Sequence, residues 1–447
     1  MLLGDNGADP TIGKGNAMPR ELSWLRSLLL LGVMALSRPA PANNGIVLIG
    51  TGAESVGMGG ADVAVARDTT ALSTNPAGLS QLPGWAHDGF FATAFALDVA
   101  HADQFGNDQQ VDNWAAPIGG AGLSKRIDGT GATLGIGLFA QAGAGSVYNG
   151  LNTPFGGTDT LRAQFGVLKV TPGIAWQASE HLALGAAVNI HYASLQQRVF
   201  PNTSFLDAAD STRFFFGTEI DDAWSVRVGV KVGALYKPRS DLSLGLTYSP
   251  QMAIPFDNGE LVVNMSAAGL GRVTYRDVEL RGLALPEEVA AGVAWQATPK
   301  LLVAVDLMWL NYSRAMQTQT LTASNPSNPL APPTIASTSS LGWHDQTVIA
   351  AGVAYATDDM TNLYGGVNYG RNPIPSQTLN PLLATIGELH LTAGLAKELG
   401  DGWRVSGALE YLAPKRVTYD NPELPFGRGA QERTSYLAIV FMLSRRW

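Results

Sequence analysis

The 447-residue chain has no cysteine. That excludes a disulfide framework and a thiolate metal centre. Only 15% of its residues are charged, and the formal net charge is -8, which argues against nucleic acid as a partner. No run of about 18 apolar residues is present, so a bundle of membrane-crossing helices is excluded. Mean hydropathy of +0.07 is too low for such a bundle, yet it suits a chain that sends alternate residues into lipid and into water. What the chain has in excess is glycine, 51 residues against a usual share of about 7%.

The longest apolar run, Leu28 to Leu36, follows Arg20 and Arg26 and precedes Ala40-Pro41-Ala42. A basic region, a short apolar stretch and a small-x-small site read as a secretory signal. As a helix the run is too short for a bilayer core of ~30 Å. Residues 1–42 are therefore expected to be non-structural, with Met18 as the true start and Asn43 near the mature N-terminus.

From residue 86 onward the dominant signal has a period of two. Trp224, Val226, Val228, Val230, Val232, Ala234 and Tyr236 alternate with Ser225, Arg227, Gly229, Lys231, Gly233, Leu235 and Lys237. The same pattern recurs around Leu182 and Leu242. Such alternation marks strands with two different environments. Runs of about ten residues or more exceed the usual strand of about 5–6 and match a tilted strand that crosses a bilayer.

Short turns repeat imperfectly, as in GIAWQASEHLALG (Gly173 to Gly185), GALYKPRSDLSLG (Gly233 to Gly245) and GVAWQATPKLLV (Gly292 to Val303). Trp176, Tyr236, Trp295 and Tyr355 thereby recur at one level, as an aromatic girdle does. Between the short turns lie long polar connections near 146–160, 200–219, 257–283, 316–342, 372–385 and 417–431. This asymmetry predicts an all-β transmembrane fold: a 14-stranded antiparallel outer-membrane barrel over residues 86–447. The fifth strand is expected over about 181–199, the sixth over 220–237 and the seventh over 240–256. Closure removes edges that hydrocarbon could not satisfy. The chain ends SYLAIVFMLSRRW, similar to the C-terminal signal read by barrel-assembly machinery, although Trp447 and Arg445 depart from its usual pattern.

Residues 43–85 are too many for a tail and too rich in glycine for a domain. A fourteen-strand barrel leaves a lumen, and the segment is expected to fold into it as a hatch. GTGAESVGMGGADVAVARDTTALSTNPAGLSQL (Gly50 to Leu82) resembles the hatch of the FadL/TodX family of outer-membrane transporters, with Asn75, Pro76 and Ala77 matching its hatch motif. LPEEVAAGVAW (Leu285 to Trp295) and the stretch from Tyr364 to Leu399 are also similar to that family.

The resemblance implies passive uptake of long-chain fatty acids or aromatic and aliphatic hydrocarbons at the outer membrane of a Gram-negative cell. It implies an apolar pocket and a lateral exit beside a kinked third strand, here Gly131 to Ser146. Gly135, Gly137, Gly143 and Gly145 fit such a kink, or else make room for the hatch. The expected partners are a hydrophobic ligand, membrane lipid and lipopolysaccharide, with a monomeric barrel, no catalytic activity, no cofactor and no metal.

Phe155, Phe200, Phe205, Phe214 and Phe215 are candidates for a pocket in the external loops, or for packing of those loops on one another. Arg227 and Lys231 are candidate anchors for a carboxylate; the alternative is that they pair with lumenal acids such as Asp306, Glu388 or Glu410. Two other functions stand beside transport of hydrophobes. A general diffusion porin would have an open lumen, and a lipid hydrolase would use His390 oriented by Glu410.

Overall fold

The computed structural model describes residues 44–447; the secretory signal expected within residues 1–42 lies outside them. Fourteen long strands form one antiparallel wall. They are β1 (Trp85–Ala96), β2 (Ala115–Ile127), β3 (Ala132–Ala144), β4 (Thr158–Gln177), β5 (Leu182–Leu206), β6 (Phe214–Arg239) and β7 (Leu242–Ser249). The second half is β8 (Glu287–Thr298), β9 (Leu301–Asn311), β10 (Gln346–Ala356), β11 (Thr361–Gly370), β12 (Leu389–Gly400), β13 (Trp403–Tyr419) and β14 (Ala430–Arg446).

Each strand pairs with its sequence neighbour, and β14 closes the wall on β1 from Ala86↔Arg446 to Ala96↔Tyr436. Trp85 and Trp447 exchange backbone hydrogen bonds of 2.8 and 3.1 Å at the seam. No helix among the described residues is long and apolar enough to cross a membrane.

The outer face is apolar. Val228, Leu246, Leu307, Leu391 and Phe441 point away from the barrel and are exposed. A band of this extent on every strand would aggregate in water and is the surface a bilayer covers. Trp176, Tyr236, Trp295 and Tyr355 stand exposed beside the short turns, which gives the girdle its physical place.

Several external connections are themselves folded. β5 and β6 run on into a hairpin joined as far as Leu206↔Phe214, beyond the ends expected near 199 and 220. β7 stops at Ser249, short of the expected 256. The stretches Glu260–Met265, Gly271–Arg281, Thr318–Pro326 and Thr334–Ser340 pair in series into an outer sheet that continues from β6. Their polar sequences read as plain loop, and the edge of β6 templates them.

Residues 44–84 occupy the lumen. The short helix Ala53–Gly57 packs against β11 to β14, the turn Thr69–Leu72 against β1 to β4, and the turn Pro76–Gln81 against β3 to β6. The glycines of the sequence repeat explain how the segment fits. Gly185↔Gly233, Gly245↔Gly292 and Gly352↔Gly366 are cross-strand pairs. A Cβ at Gly185 would lie 2.1 Å from the amide nitrogen of Ala77, at Gly245 2.2 Å from the carbonyl oxygen of Val63, and at Gly352 2.4 Å from that of Met58. Backbone lies on backbone there, and only glycine permits that approach.

Candidate functional site

Among the described residues the ladder of the wall breaks on the β7 side of β6 over residues 222–231, and it breaks again between β2 and β3. β2 pairs with β1 from Ala115 to Lys125, but with β3 only from Gly120↔Phe139 down to Ile127↔Ala132. Beyond that level, residues 115–119 of β2 have no ladder partner on the β3 side. The departing strand stays with β4, and its register shifts between Ala140 and Ala142. The side chains record the turn. Leu134, Ile136 and Leu138 are exposed to lipid, whereas Ala142 and Ala144 are buried. The strand has moved inward and left a gap.

Local chemistry shapes both rims. Pro117 lies on the free stretch of β2, and proline within a sheet is confined to edges. Gly145 has φ +146, and a Cβ there would sit 2.2 Å from the carbonyl oxygen of Ala163. At the lower rim a Cβ on Gly120 would meet the rings of Phe90 and Phe139 at 2.5 and 2.8 Å, so two aromatic rings fill the place a side chain would take. The upper rim is closed by Asn113, which donates to the carbonyl of Gly145 (3.3 Å) and accepts from the amide of Val147 (2.9 Å).

The four glycines expected to define this strand divide into two pairs. Gly135 faces Leu72 and Leu79 of the lumenal segment, and Gly137 makes room for the ring of Phe139. Gly143 and Gly145 lie in the part that turns inward.

Inside the gap, the tip of the lumenal segment meets β3. The amide of Gly143 donates to the carbonyl of Ile46 at 3.2 Å, and Val47 bridges Ala142. On the far side, the hydroxyl of Tyr312 donates to the carbonyl of Asn44 (2.6 Å) and accepts from the amide of Ile46 (3.0 Å). The tip is thus strapped across the lumen between β3 and the turn after β9. Sequence reasoning missed Tyr312, because nothing local marks it. A cavity of about 40 Å³ lies behind the gap, lined by Leu48, Ile49, Val56, Phe90 and Ile118, with Glu410 and Tyr436 as its polar wall. Above it, Ile46, Phe165, Met252, Phe256, Tyr312 and Trp343 belong to a continuous buried apolar cluster.

The body of the segment is held by polar contacts. Asn75 accepts from the amide of Ala77 (3.1 Å) and caps the turn that Pro76 begins. Its amide group donates to the carbonyls of Val63 (2.7 Å) and Ala234 (3.2 Å), which tethers the turn to β6. Asp306 accepts from the amides of Asp62 (2.7 Å) and Val63 (2.8 Å). Glu54 takes a 2.7 Å ion pair from Arg404 and a 2.6 Å hydrogen bond from Tyr364.

The candidate anchors fare differently. Lys231 is buried and paired with Glu288 at 2.7 Å. Arg227 donates to the carbonyl of Val226 (2.8 Å), reaches Asp257 only at 3.9 Å and is 37% exposed. Neither pairs with the acids weighed from sequence: Asp306 holds the segment, Glu388 pairs with Lys415 (2.7 Å) and Glu410 meets His390 at 2.9 Å. Lys169 on β4, only 2% exposed, is a lumenal cation with no carboxylate within 4.0 Å. Its parity on β4, opposite to that of Ile174 and Trp176, was the available signal.

Of the loop phenylalanines, Phe155 stacks on Phe205 (5.2 Å) and Phe215 (4.6 Å), and Phe200 joins through Phe215 (6.1 Å). Phe214 turns outward, 59% exposed, beside Phe216 at 5.1 Å. The structure brings four of the five together. Near them His101 is buried between Glu432 (2.6 Å) and Asp103 (3.2 Å). Burial opposes its charging, but hydrogen bonds to both carboxylates hold its imidazole up at about 9.

Solved structures share this architecture. The toluene transporter TbuX of Ralstonia pickettii superposes with a TM-score of 0.71 at 18% identity over 89% of this chain and 99% of its own. The toluene transporter TodX of Pseudomonas putida gives 0.72 at 18% over 90% and 100%. A Pseudomonas aeruginosa FadL homologue gives 0.71 at 15% over 90% and 99%. At such identities the likeness is one of fold. No curated protein matches by sequence. A family model described as outer membrane protein transport protein (OMPP1/FadL/TodX) matches residues 33–445, and the chain belongs to that family of outer-membrane transporters.

Proposed function

We propose that this barrel carries hydrophobic compounds passively from the cell surface into the outer membrane, releasing them sideways through the gap between β2 and β3. The observation that supports this most is the unpaired stretch of β2 beside an apolar lumen. Residues 44–84 act as a hatch in this reading and deny water a straight path. A lipophile crosses the saccharide layer within the aromatic loop cluster, passes the apolar upper lumen and leaves between the strands. At about 40 Å³ the cavity behind the gap is well below the roughly 150 Å³ that binds benzene. The tip from Asn44 to Ile49 therefore has to move before a ligand can pass.

Two ligand classes fit. Toluene carriage by TbuX and TodX supports an aromatic hydrocarbon. The unpaired Lys169 supports an acidic head group, because a buried charge without a partner is costly and a carboxylate would relieve it.

The test fills the gap. Ala140→Trp, at the rim, is expected to lower uptake of labelled toluene and labelled oleate at least tenfold in cells, with the barrel still heat-modifiable on gels. Unchanged uptake would place the exit elsewhere. A barrel that lets small sugars swell liposomes quickly would instead be a porin.

A further inference from the structure

We propose that the lumenal face of β10 to β12 is a second ligand subsite, one that receives the hydroxyl group of a hydroxylated hydrophobe such as an alkylphenol. The proposal rests on the carrier reading and adds to it a class of ligand that neither the gap nor Lys169 implies.

The argument starts from His390, whose side chain is fully buried. Its Nδ1 lies 2.9 Å from the carboxylate of Glu410, which also accepts from the hydroxyl of Tyr436 at 2.5 Å. A carboxylate only accepts, so Nδ1 carries the proton, and in the neutral ring Nε2 is left as an acceptor. That Nε2 has no partner. The cross-strand neighbour of His390 is Asn368. Its amide group donates to the carbonyl of Gly59 at 3.0 Å, which fixes the orientation and leaves Oδ1 bare.

One step further, Gln346 donates to the carbonyl of Arg371 at 3.0 Å and leaves its Oε1 bare. Asn44 also presents a bare Oδ1. Gln346 and Asn44 meet over Gly370, where a Cβ would touch them at 2.8 and 3.2 Å. Three buried side-chain atoms on one sector of the wall, and Asn44 Oδ1 on the segment that faces it, thus lack partners, and with the His390 ring neutral each is an acceptor.

The sign of that mismatch identifies the ligand. Buried polar groups are normally satisfied, and leaving one bare is unfavourable. Acceptors are satisfied by a donor, so a carboxylate head is disfavoured, and Glu410 beside them adds repulsion. A hydroxyl fits. The apolar body of its carrier has a route nearby: Glu410 and Tyr436 form the polar wall of the cavity that Phe90 and Ile118 line, and the same movement of the tip that lets a ligand pass has to widen it.

The experiment compares 4-propylphenol with propylbenzene, which differ by that one group. Retention by the detergent-solubilised full-length protein is measured against empty micelles. The wild type is expected to hold the phenol about fivefold more tightly, the effect of one net hydrogen bond. In His390→Phe the ratio is expected to fall towards one. Gln346→Met supplies a second variant, read the same way, should the first fail to give a heat-modifiable barrel.

Because the ratio is taken within each variant, a general loosening of the lumen does not imitate the result. Equal retention of the two compounds by the wild type would mean that water alone fills the site and would overturn the subsite. A ratio that survives in both variants would overturn it as well. If the wild type retains neither compound, the carrier reading fails and the subsite falls with it.

Discussion

The amide of Gly143 on β3 donates to the carbonyl of Ile46, 3.2 Å away in the lumenal segment. A strand that has left β2 meets there the tip of the chain's own leading segment. The gap in the wall and the closure of the lumen therefore share one contact, and displacing the tip frees both.

Tyr312 is the other end of that strap. Tyr312→Phe removes a hydroxyl that donates to Asn44 and accepts from Ile46. With each net hydrogen bond at about 1 kcal/mol, the tip is expected to open about 2 kcal/mol more easily. Hydrogen exchange at the amide of Ile46 should rise ten- to thirtyfold, with the body of the segment unaffected.

Arg404 tests the anchorage of that body. It bonds Glu54, Tyr364 (2.7 Å) and Glu398 (2.8 Å). Arg404→Ala leaves Glu54 buried without its main counter-charge, a change that costs about 3–5 kcal/mol for buried pairs. The lumenal segment is expected to work loose, and single-channel conductance in planar bilayers should show long openings absent from the wild type. A silent bilayer would mean that the glycine contacts hold the segment alone.

Those glycine contacts can be weighed separately. Gly185→Ala places a methyl group against the backbone of Ala77, whereas at Gly89 nothing lies within 4 Å. Overpacking costs about 1–3 kcal/mol. The midpoint of heat modification should fall for Gly185→Ala and stay put for Gly89→Ala.

The buried His101 makes the outer cap sensitive to pH. Its imidazole, held at about 9, binds a proton more tightly folded than the unfolded value of 6.5 allows. The stabilisation is complete below pH 6.5 and is lost as pH rises through 9. Glu432 and Asp103 face the ring directly, with Tyr148 beside Glu432 at 3.4 Å. The chain lacks cysteine, so Gln104→Cys gives a single site for a nitroxide label. Its spectrum should sharpen from pH 6.5 to 10, and His101→Gln should abolish that dependence. Sharpening on acidification would contradict the assignment.

Much of this architecture was legible because lipid enforces it. A strand between hydrocarbon and lumen must alternate, so Val226, Val228 and Val230 announced their face and Arg227 and Lys231 theirs. The girdle of Trp176, Tyr236, Trp295 and Tyr355 followed from the same period. The outer sheet was not legible, since water imposes no such rule on Glu260–Met265 or Thr334–Ser340 and their pairing depends on the free edge of β6. The meeting of His390 and Glu410 was legible from parity, but the partner of Lys231 was not. Parity places Lys231 in the lumen, but its choice of Glu288 over Asp306 depends on which strands stand opposite and on where the amides of Asp62 and Val63 lie.

By itself, then, the sequence determined a closed wall of fourteen strands, because alternation and turn length are local properties that the bilayer selects. Only the tertiary structure decided where that wall parts, which cation stays unpaired and which acceptors stay bare. Those outcomes depend on the register between strands far apart in the chain and on the fit of residues 44–84 against glycines spread over most of the barrel, and no local pattern encodes either.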